Sequence, residues 1–528
     1  MQLKYRKLIL VTLNLQRMFK NHPKGLLAAS LANMGERFGF YTMMAILTLF
    51  LMTKFGLDET TTGIIYSIFY ASIYLLALVG GLLADRTRNY KGIIMAGLLL
   101  MSLGYVIIAI PTPTPVPADK FGLFLAISCL GLLVIAFGNG LFKGNLQALV
   151  GQMYDDPKYS KMRDSGFQLF YMFINVGAIF APFLAVGVRN WWVEKNGFLY
   201  NADLPTLAHQ YLGNTITAEG GERFQRLAGE VGYSGSDMTA FAGEYLNVFT
   251  TGFHYAFAVA IVAMLISLVI YMINKNRFPD PANKHAVAAD GSTVKEMDIK
   301  EVKQRLYALF AVFAVVIFFW FSFHQNGLTL TYFAKDYTDL SQIRVNLGFA
   351  TLEGAEIFQS INPFFVVFLT PIIVGFFGWL RTKGKEPSTP RKIAIGMGIA
   401  ALAYAVMAIG SMGLPFKSEL EAMGGLPDAA RVTPWLLIGT YFILTVAELF
   451  ISPLGISFVS KVAPPKYQGI MQGAWLGATA AGNSLLFIGA IFYTSISMTA
   501  TWMVFVVACL ISMFTMLGMI KWLERIAK

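Results

Sequence analysis

Long apolar runs alternate with short polar segments along the whole chain. A helix that crosses a bilayer needs about 20 apolar residues, and by that measure the sequence predicts twelve spans. They fall at 25–52, 61–84, 91–111, 121–150, 164–187, 248–273, 304–333, 352–380, 391–412, 432–460, 467–492 and 498–522. Proline punctuates many ends: Pro23, the Pro111–Pro115 turn, Pro279, Pro281, Pro387 and Pro390. Two longer polar stretches interrupt the pattern. Residues 189–247 are expected to form a small helical cap on one side, and 274–303 a linker that divides the spans six and six. The domain reading is a segment 1–24, a bundle 25–273, the linker 274–303 and a second bundle 304–528.

Lysine and arginine placement sets the orientation. One side collects Lys4, Arg6, Lys7, Arg17, Lys20, Lys24, Arg86, Arg88, Lys91, Lys158, Lys161, Arg163, the 381–392 cluster and Lys521, Arg525 and Lys528. The opposite loops hold only a scatter, such as Lys54, Lys120, Lys335, Arg344, Lys417 and Arg431. Both termini are therefore expected to be cytoplasmic, in a bacterial inner membrane. The run Leu8–Leu13 between basic flanks lacks the polar cleavage region of a signal peptide and reads as an interfacial basic segment.

Composition agrees and narrows the classes. Of the 528 residues only 13% are charged, against about 25% in a soluble protein. The net charge of +11 is spread through loops rather than gathered on one polar domain, which argues against a nucleic-acid partner. Cys129 and Cys509 both lie in apolar runs and form no disulfide framework or CxxC motif. No HExxH, GxSxG or phosphate-loop signature lies in the spans, so an enzyme, a metal site and ATP coupling are not expected. A receptor would ordinarily carry a signalling domain larger than these short loops.

Internal repetition supports the division into halves. Gly80-Gly81-Leu-Leu-Ala-Asp85-Arg86-Thr-Arg88 follows the second span, and Gly375-Phe-Phe-Gly378-Trp-Leu-Arg381-Thr-Lys383 follows the eighth. This turn resembles that of the major facilitator superfamily. The resemblance implies an all-α polytopic fold of two six-helix bundles with a site between them, and a gating turn at Asp85 and Arg86.

Charges inside spans are expensive and mark function. Four stand out, Glu36, Arg37, Lys143 and Glu448, two of each sign; a cavity with balanced charges suits a ligand that carries both. His324 adds a group that titrates near neutrality. Asn33, Glu36, Arg37, Phe40 and Met44 recur at helical spacing and share a face. Because adjacent helical residues do not face one another, Glu36 and Arg37 are each expected to find a partner on another helix.

The residues Glu36-Arg37-Phe38-Gly39-Phe40-Tyr41 resemble the ExxERFxYY motif of the proton-dependent oligopeptide transporter family. Gly138-Asn-Gly-Leu-Phe-Lys143-Gly-Asn145, Phe170–Gly177, Phe319-Trp320 with Gln325, Gln359–Pro363, Glu448–Gly455 and Gly473-Ala-Trp475 match further signatures in order along the chain. The resemblance implies a carrier of di- and tripeptides driven by protons through alternating access, without cofactor and as a monomer. It places Lys143 at the peptide carboxylate and Glu448 at the amino terminus, with Asn175 and Asn362 on the backbone and Arg37, Tyr41, Tyr74 and Trp475 lining the pocket. Glu36 would pair with Lys143, and Glu36, Arg37, His324 and Glu448 would serve proton coupling.

The chain departs from the family at informative places. The first Glu of ExxER is Asn33, a later first-helix Arg is Met44, the seventh-helix Glu is His324, and Gly144 follows the fourth-helix Lys in place of Pro. The proton carriers left are Glu36, Glu448 and His324, and the carboxylate end keeps Lys143 as its main cation. Alternatives within the class are a nitrate or small-acid carrier and a weakly proton-coupled peptide facilitator.

Overall fold

A computed structural model of the chain describes residues 19, 22–154, 156–159, 163–279, 298–348, 350–464 and 468–526. Most of the basic segment 1–24 and of the linker 274–303 lies outside them. Among the described residues twelve helices or helix pairs are long and apolar enough to cross a membrane, and the chain is a multi-pass membrane protein. They are α1 (Gly25–Phe55), α2 (Glu59–Thr87), α3 (Tyr90–Ala109), α4 (Phe121–Gln152) and α5 (Arg163–Lys195). After α6 (Leu204–Leu212) and α7 (Ala218–Glu230) come α8 (Met238–Asn274) and the pair α9 (Ile299–Phe323) and α10 (Thr329–Tyr337). The second half continues with α11 (Ile361–Thr382), α12 (Thr389–Gly410), a short α13 (Lys417–Ala422), α14 (Trp435–Val462), the pair α15 (Gln468–Ser484) and α16 (Phe487–Ser495), and α17 (Met498–Ile526). A two-stranded hairpin, β1 (Val345–Asn346) and β2 (Thr351–Leu352), precedes α11.

Local chemistry sets the ends. Asp58 accepts from the Thr61 amide at 2.6 Å to start α2, and Asn89 accepts from the Gly92 amide at 2.9 Å to start α3. Gly56, at φ 62°, closes α1. Between the caps, leucine, isoleucine and phenylalanine face outward, as at Ile68, Leu82, Leu130, Ile273 and Phe514. Such a belt is stable only against hydrocarbon.

Within each half the same pairings recur. α1 packs on α8 as α9 packs on α17, and α3 packs on α4 as α12 packs on α14. The halves meet along α2 with α15 and α16, and along α5 with α11. The result is two six-helix bundles.

Three expectations are revised. The spans flanking the cap run longer than expected: α5 continues to Lys195 and α8 begins at Met238, so only 196–237 joins them, because a helix need not stop where the lipid does. Span seven is interrupted, with a 3₁₀ turn at His324–Gly327 between α9 and α10. Span eleven breaks after Ser484. The two breaks face each other: the Gln325 side-chain amide donates to the Phe321 and Leu486 carbonyls, both at 3.2 Å, and accepts from the Thr329 hydroxyl. Broken backbone at membrane depth needs such partners.

The face away from the chain ends is sealed between the halves. The guanidinium of Arg189 on α5 pairs with Glu356, both fully buried, and also donates to the Glu353 carbonyl at 3.1 Å. Asn190 donates to the Thr351 carbonyl at 2.7 Å, and the Thr351 amide returns a bond to Glu194 at 2.9 Å. Among the described residues, the ion pairs that join the halves all lie on this side: Arg189–Glu356, Lys417–Glu59 and Arg431–Asp203.

Candidate functional site

Helix α1 carries Asn33, Glu36, Arg37, Phe40 and Met44 into the protein, and all five are buried. The outcome for Glu36 and Arg37 differs from the sequence expectation. Arg37 donates through Nε and Nη2 to the two Glu36 oxygens at 2.5 and 2.6 Å. The rule that neighbours diverge concerns Cβ directions, whereas a guanidinium on a long stem can fold back along the helix. Asn139 of α4 completes the pair, donating to Glu36 Oε1 at 2.7 Å. The Phe40 ring lies 4.6 Å from the guanidinium carbon. Glu36 therefore does not pair with Lys143.

Lys143 instead lies over the Tyr74 ring of α2, 4.5 Å from its centroid. Among the described residues no carboxylate reaches its ammonium within ion-pair distance. A file of rings leads onward from Tyr74: Tyr70 at 5.9 Å, then His324 at 4.7 Å, which stacks on Trp320 at 4.8 Å. His324 Nδ1 lies 2.5 Å from Asn483 Oδ1 of α15, and the ring sits in the field of Lys143. A half-one cation and a half-two imidazole thus meet across two tyrosines.

Glu448, on α14, accepts from Asn362 at 2.9 Å, and Asn362 also donates to Thr445 at 3.0 Å. Tyr41 is the link to the first half, within electrostatic reach of Arg37, Glu36 and Glu448 together. Tyr74 likewise feels both Arg37 and Glu448. The structure brings together Glu36, Arg37, Tyr41, Tyr74, Lys143, His324, Asn362 and Glu448.

The remaining candidates are placed differently. Asn175 donates to the Tyr171 carbonyl one turn back, at 3.2 Å. Trp475 is buried against Phe313, its ring over Gly455, where any side chain would collide. Met44 packs in the apolar core. Arg86 is exposed, and the side chain of Asp85 lies outside the described residues.

Sequence reasoning missed Asn139, Asn483 and Tyr70. Each had a signal. Asn139 lies inside the Gly138-Asn-Gly140 run, Asn483 is an amide in the middle of an apolar span, and Tyr70 stands one helical turn before Tyr74.

Comparison with known proteins gives a consistent set. A sequence model described as the POT family matches residues 91–293 and 283–503. The chain is 29% identical over 489 residues to the peptide transporter YePEPT of Yersinia enterocolitica, covering 88% of this chain and 87% of that one. It is 26% identical over 468 residues to dipeptide and tripeptide permease A of Escherichia coli, covering 87% and 82%. The crystal structure of a peptide transporter POT in complex with sulfate superposes with a TM-score of 0.69 at 24% identity, over 96% of each chain. A POT family transporter in complex with 5-aminolevulinic acid gives 0.68 at 21%, over 96% and 97%. The fold is that of these transporters, the major facilitator fold.

Proposed function

The chain belongs to the POT family, and on that premise we propose that it imports di- and tripeptides with protons, offering one central site alternately to each side of the membrane. The observation that carries this reading is the meeting of Lys143 and the Glu36–Arg37 pair, from one half, with Glu448 and His324 from the other, around Tyr41, Tyr70 and Tyr74. Opposite charges on opposite bundles suit a solute that is cationic at one end and anionic at the other. The relatives named as a peptide transporter and as a dipeptide and tripeptide permease support peptides as that solute.

In this reading Lys143, whose ammonium meets no carboxylate among the described residues, receives the peptide carboxylate. Glu448, held in place by Asn362, receives the terminal ammonium. Tyr41 and Tyr74 flank the backbone, while Asn175 and Trp475 shape the walls. Such a site measures the distance between termini and tolerates many side chains. Rocking of the bundles about this midplane site gives access to each side in turn. Basic loops put the termini in the cytoplasm, and Asp85 and Arg86 then lie at the cytoplasmic turn.

Proton coupling follows from electroneutrality. A buried pair becomes costly when one partner is neutralised. A proton taken by Glu36 frees the Arg37 charge, and a substrate carboxylate nearby restores balance. Proton and substrate therefore favour the same loaded state. His324, bound to Asn483, stands at the broken centre of span seven, where its protonation would act on both bundles.

One observation favours a second reading, a smaller zwitterionic or anionic acid as substrate. Met44 is in the apolar core, so among the described residues the carboxylate end rests on Lys143. A related transporter was crystallised with 5-aminolevulinic acid. Uptake into proteoliposomes of di-alanine, tri-alanine, 5-aminolevulinic acid and nitrate, with and without an inward proton gradient, separates the readings. Gradient-driven accumulation of the two peptides is expected; accumulation of the small acids alone would overturn the peptide assignment.

A further inference from the structure

The segment between α5 and α8 has no part in the central site, yet it is built with care. We propose that α6 and α7 form a clasp: they extend the first half over the outer face, grip the loop between α12 and α14 of the second half, and hold the outer side of the carrier shut. The proposal rests on the carrier reading and on its orientation.

The cap moves with the first half. His209 of α6 bonds to the Thr53 carbonyl of α1 at 2.6 Å, and the Tyr245 hydroxyl of α8 donates to the Leu199 carbonyl at 3.1 Å. Phe224 of α7 packs on Phe241 of α8, ring centroids 5.6 Å apart. Any motion between the bundles must therefore appear where the cap meets the second half.

That meeting is specific. Asp203, just before α6, accepts from Arg223 of α7 at 2.8 Å and from Arg431 of the second half at 2.6 Å, on the same oxygen. Arg223 continues across the boundary, donating to the Gly425 carbonyl at 2.8 Å and the Leu426 carbonyl at 3.0 Å. Thr217, which caps α7, donates to the Ala422 carbonyl at the end of α13, at 2.6 Å. The receiving loop is shaped for this contact. Gly424 has φ +69°, and a Cβ there would sit 2.8 Å from the Gly220 Cα.

A second tether stands beside it. Lys417 of α13, buried, pairs with Glu59 of α2 at 2.8 Å and with Asp336 of α10 at 2.6 Å. Tyr493 also donates to Asp336, at 2.8 Å. The cavity next to these groups holds about 30 Å³, room for two or three waters at about 10–15 Å³ each. A closure rather than a ligand site is what this volume fits. Arg431, Asp203 and Arg223 are each mostly buried, so removing Asp203 leaves two guanidinium charges without compensation in the closed state. Removing Arg431 takes away the ion pair across the boundary and leaves Asp203 on Arg223 alone. The open state, in which they are hydrated, does not suffer that loss.

The test reads access directly. In the full-length protein with Cys129→Ser and Cys509→Ala, Thr331→Cys places a thiol beside the seam: Gln359, which donates to Thr331 at 3.3 Å, also donates across the halves to the Ala45 carbonyl of α1 at 3.3 Å. Its reaction with an impermeant maleimide added outside is timed. Asp203→Asn and Arg431→Met should each raise the rate about fivefold or more, the lower range for a coupling between conformations. Arg226→Gln, which loses only the exposed Arg226–Glu230 pair of 3.7 Å, should leave it unchanged. An unchanged rate in both clasp variants overturns the proposal. So does a rise confined to Asp203→Asn, since Asp203 also holds Arg223 and that pattern would mean a loosened cap rather than a released clasp. No substrate is involved, so failure here is distinct from failure of the peptide assignment.

Discussion

Glu36 and Arg37 are consecutive in the chain and form a bidentate pair with each other, at 2.5 and 2.6 Å, fixed by Asn139 at 2.7 Å. The pair is electrically closed, which leaves the charge of Lys143 outside it, and under the proposed coupling a proton on Glu36 would release Arg37. Glu36→Gln keeps the shape and the bond from Asn139 but holds no exchangeable carboxyl proton. Accumulation of di-alanine driven by a proton gradient should fall by about tenfold or more, while exchange of labelled for unlabelled peptide across the membrane persists. Gradient-driven accumulation at the parental level would remove Glu36 from the coupling scheme.

Lys143 and Glu448 should divide the substrate between them. Hydrogen bonds to charged groups contribute about 1.5–3 kcal/mol, so Lys143→Ala and Glu448→Ala should each weaken di-alanine binding about 10–100-fold. Blocked peptides identify which end each residue serves. A carboxy-amidated peptide should bind Lys143→Ala and the parent alike, and an amino-acetylated peptide should do so for Glu448→Ala. Competition against labelled di-alanine measures both, and equal sensitivity of the two variants to both blocking groups would show that the ends are assigned wrongly.

The spans were readable because lipid permits so little else: a buried run of about 20 apolar residues has one economical conformation. Charges in those runs were readable for the same reason. What lay beyond the sequence was pairing through space. The Glu36–Arg37 contact depends on how an arginine stem bends. The facing breaks of spans seven and eleven depend on Gln325 reaching Leu486, 161 residues away. The cap was legible as polar helices, but its docking joins Asp203 to Arg431, 228 positions apart. The second copy of the repeat, which lacks the Asp85-Arg86 pair of the first, also packs differently. Gly80 lies against the Gly140 backbone, where a side chain could not fit, whereas Gly375 and Gly378 face open space.

At the basic cluster after α11, Glu386 pairs with Arg381 and with Lys392, both at 2.6 Å. The hydrogen bonds from Arg381 and Lys392 pull its carboxyl down to about 2. A carboxyl depressed in the folded state stabilises it fully above its unfolded value and loses that contribution as pH falls towards the folded one. Because Glu386 sits at the surface with an exposed Arg381 as one partner, the effect is small. Glu386→Gln in detergent should therefore melt slightly below the parent at pH 7, with the gap narrowing as pH drops from 4.5 towards 2. A gap that widens with acid would contradict the ion-pair account.

The seal at Arg189 makes the sharpest stability prediction. Its guanidinium is buried with Glu356 and lies against three rings, Tyr200 at 4.5 Å, Phe253 at 5.2 Å and Phe249 at 5.3 Å. Removing one member of a buried pair costs about 3–5 kcal/mol, whereas replacing both by apolar groups of similar size is often neutral. Arg189→Met should lower the melting temperature in detergent, and Arg189→Met with Glu356→Met should recover most of the loss. The cost falls on the state in which the halves touch here, so the single variant should also populate the state open on this face. Equal melting of single and double variants would mean that the rings, rather than the charge pair, hold this seam closed.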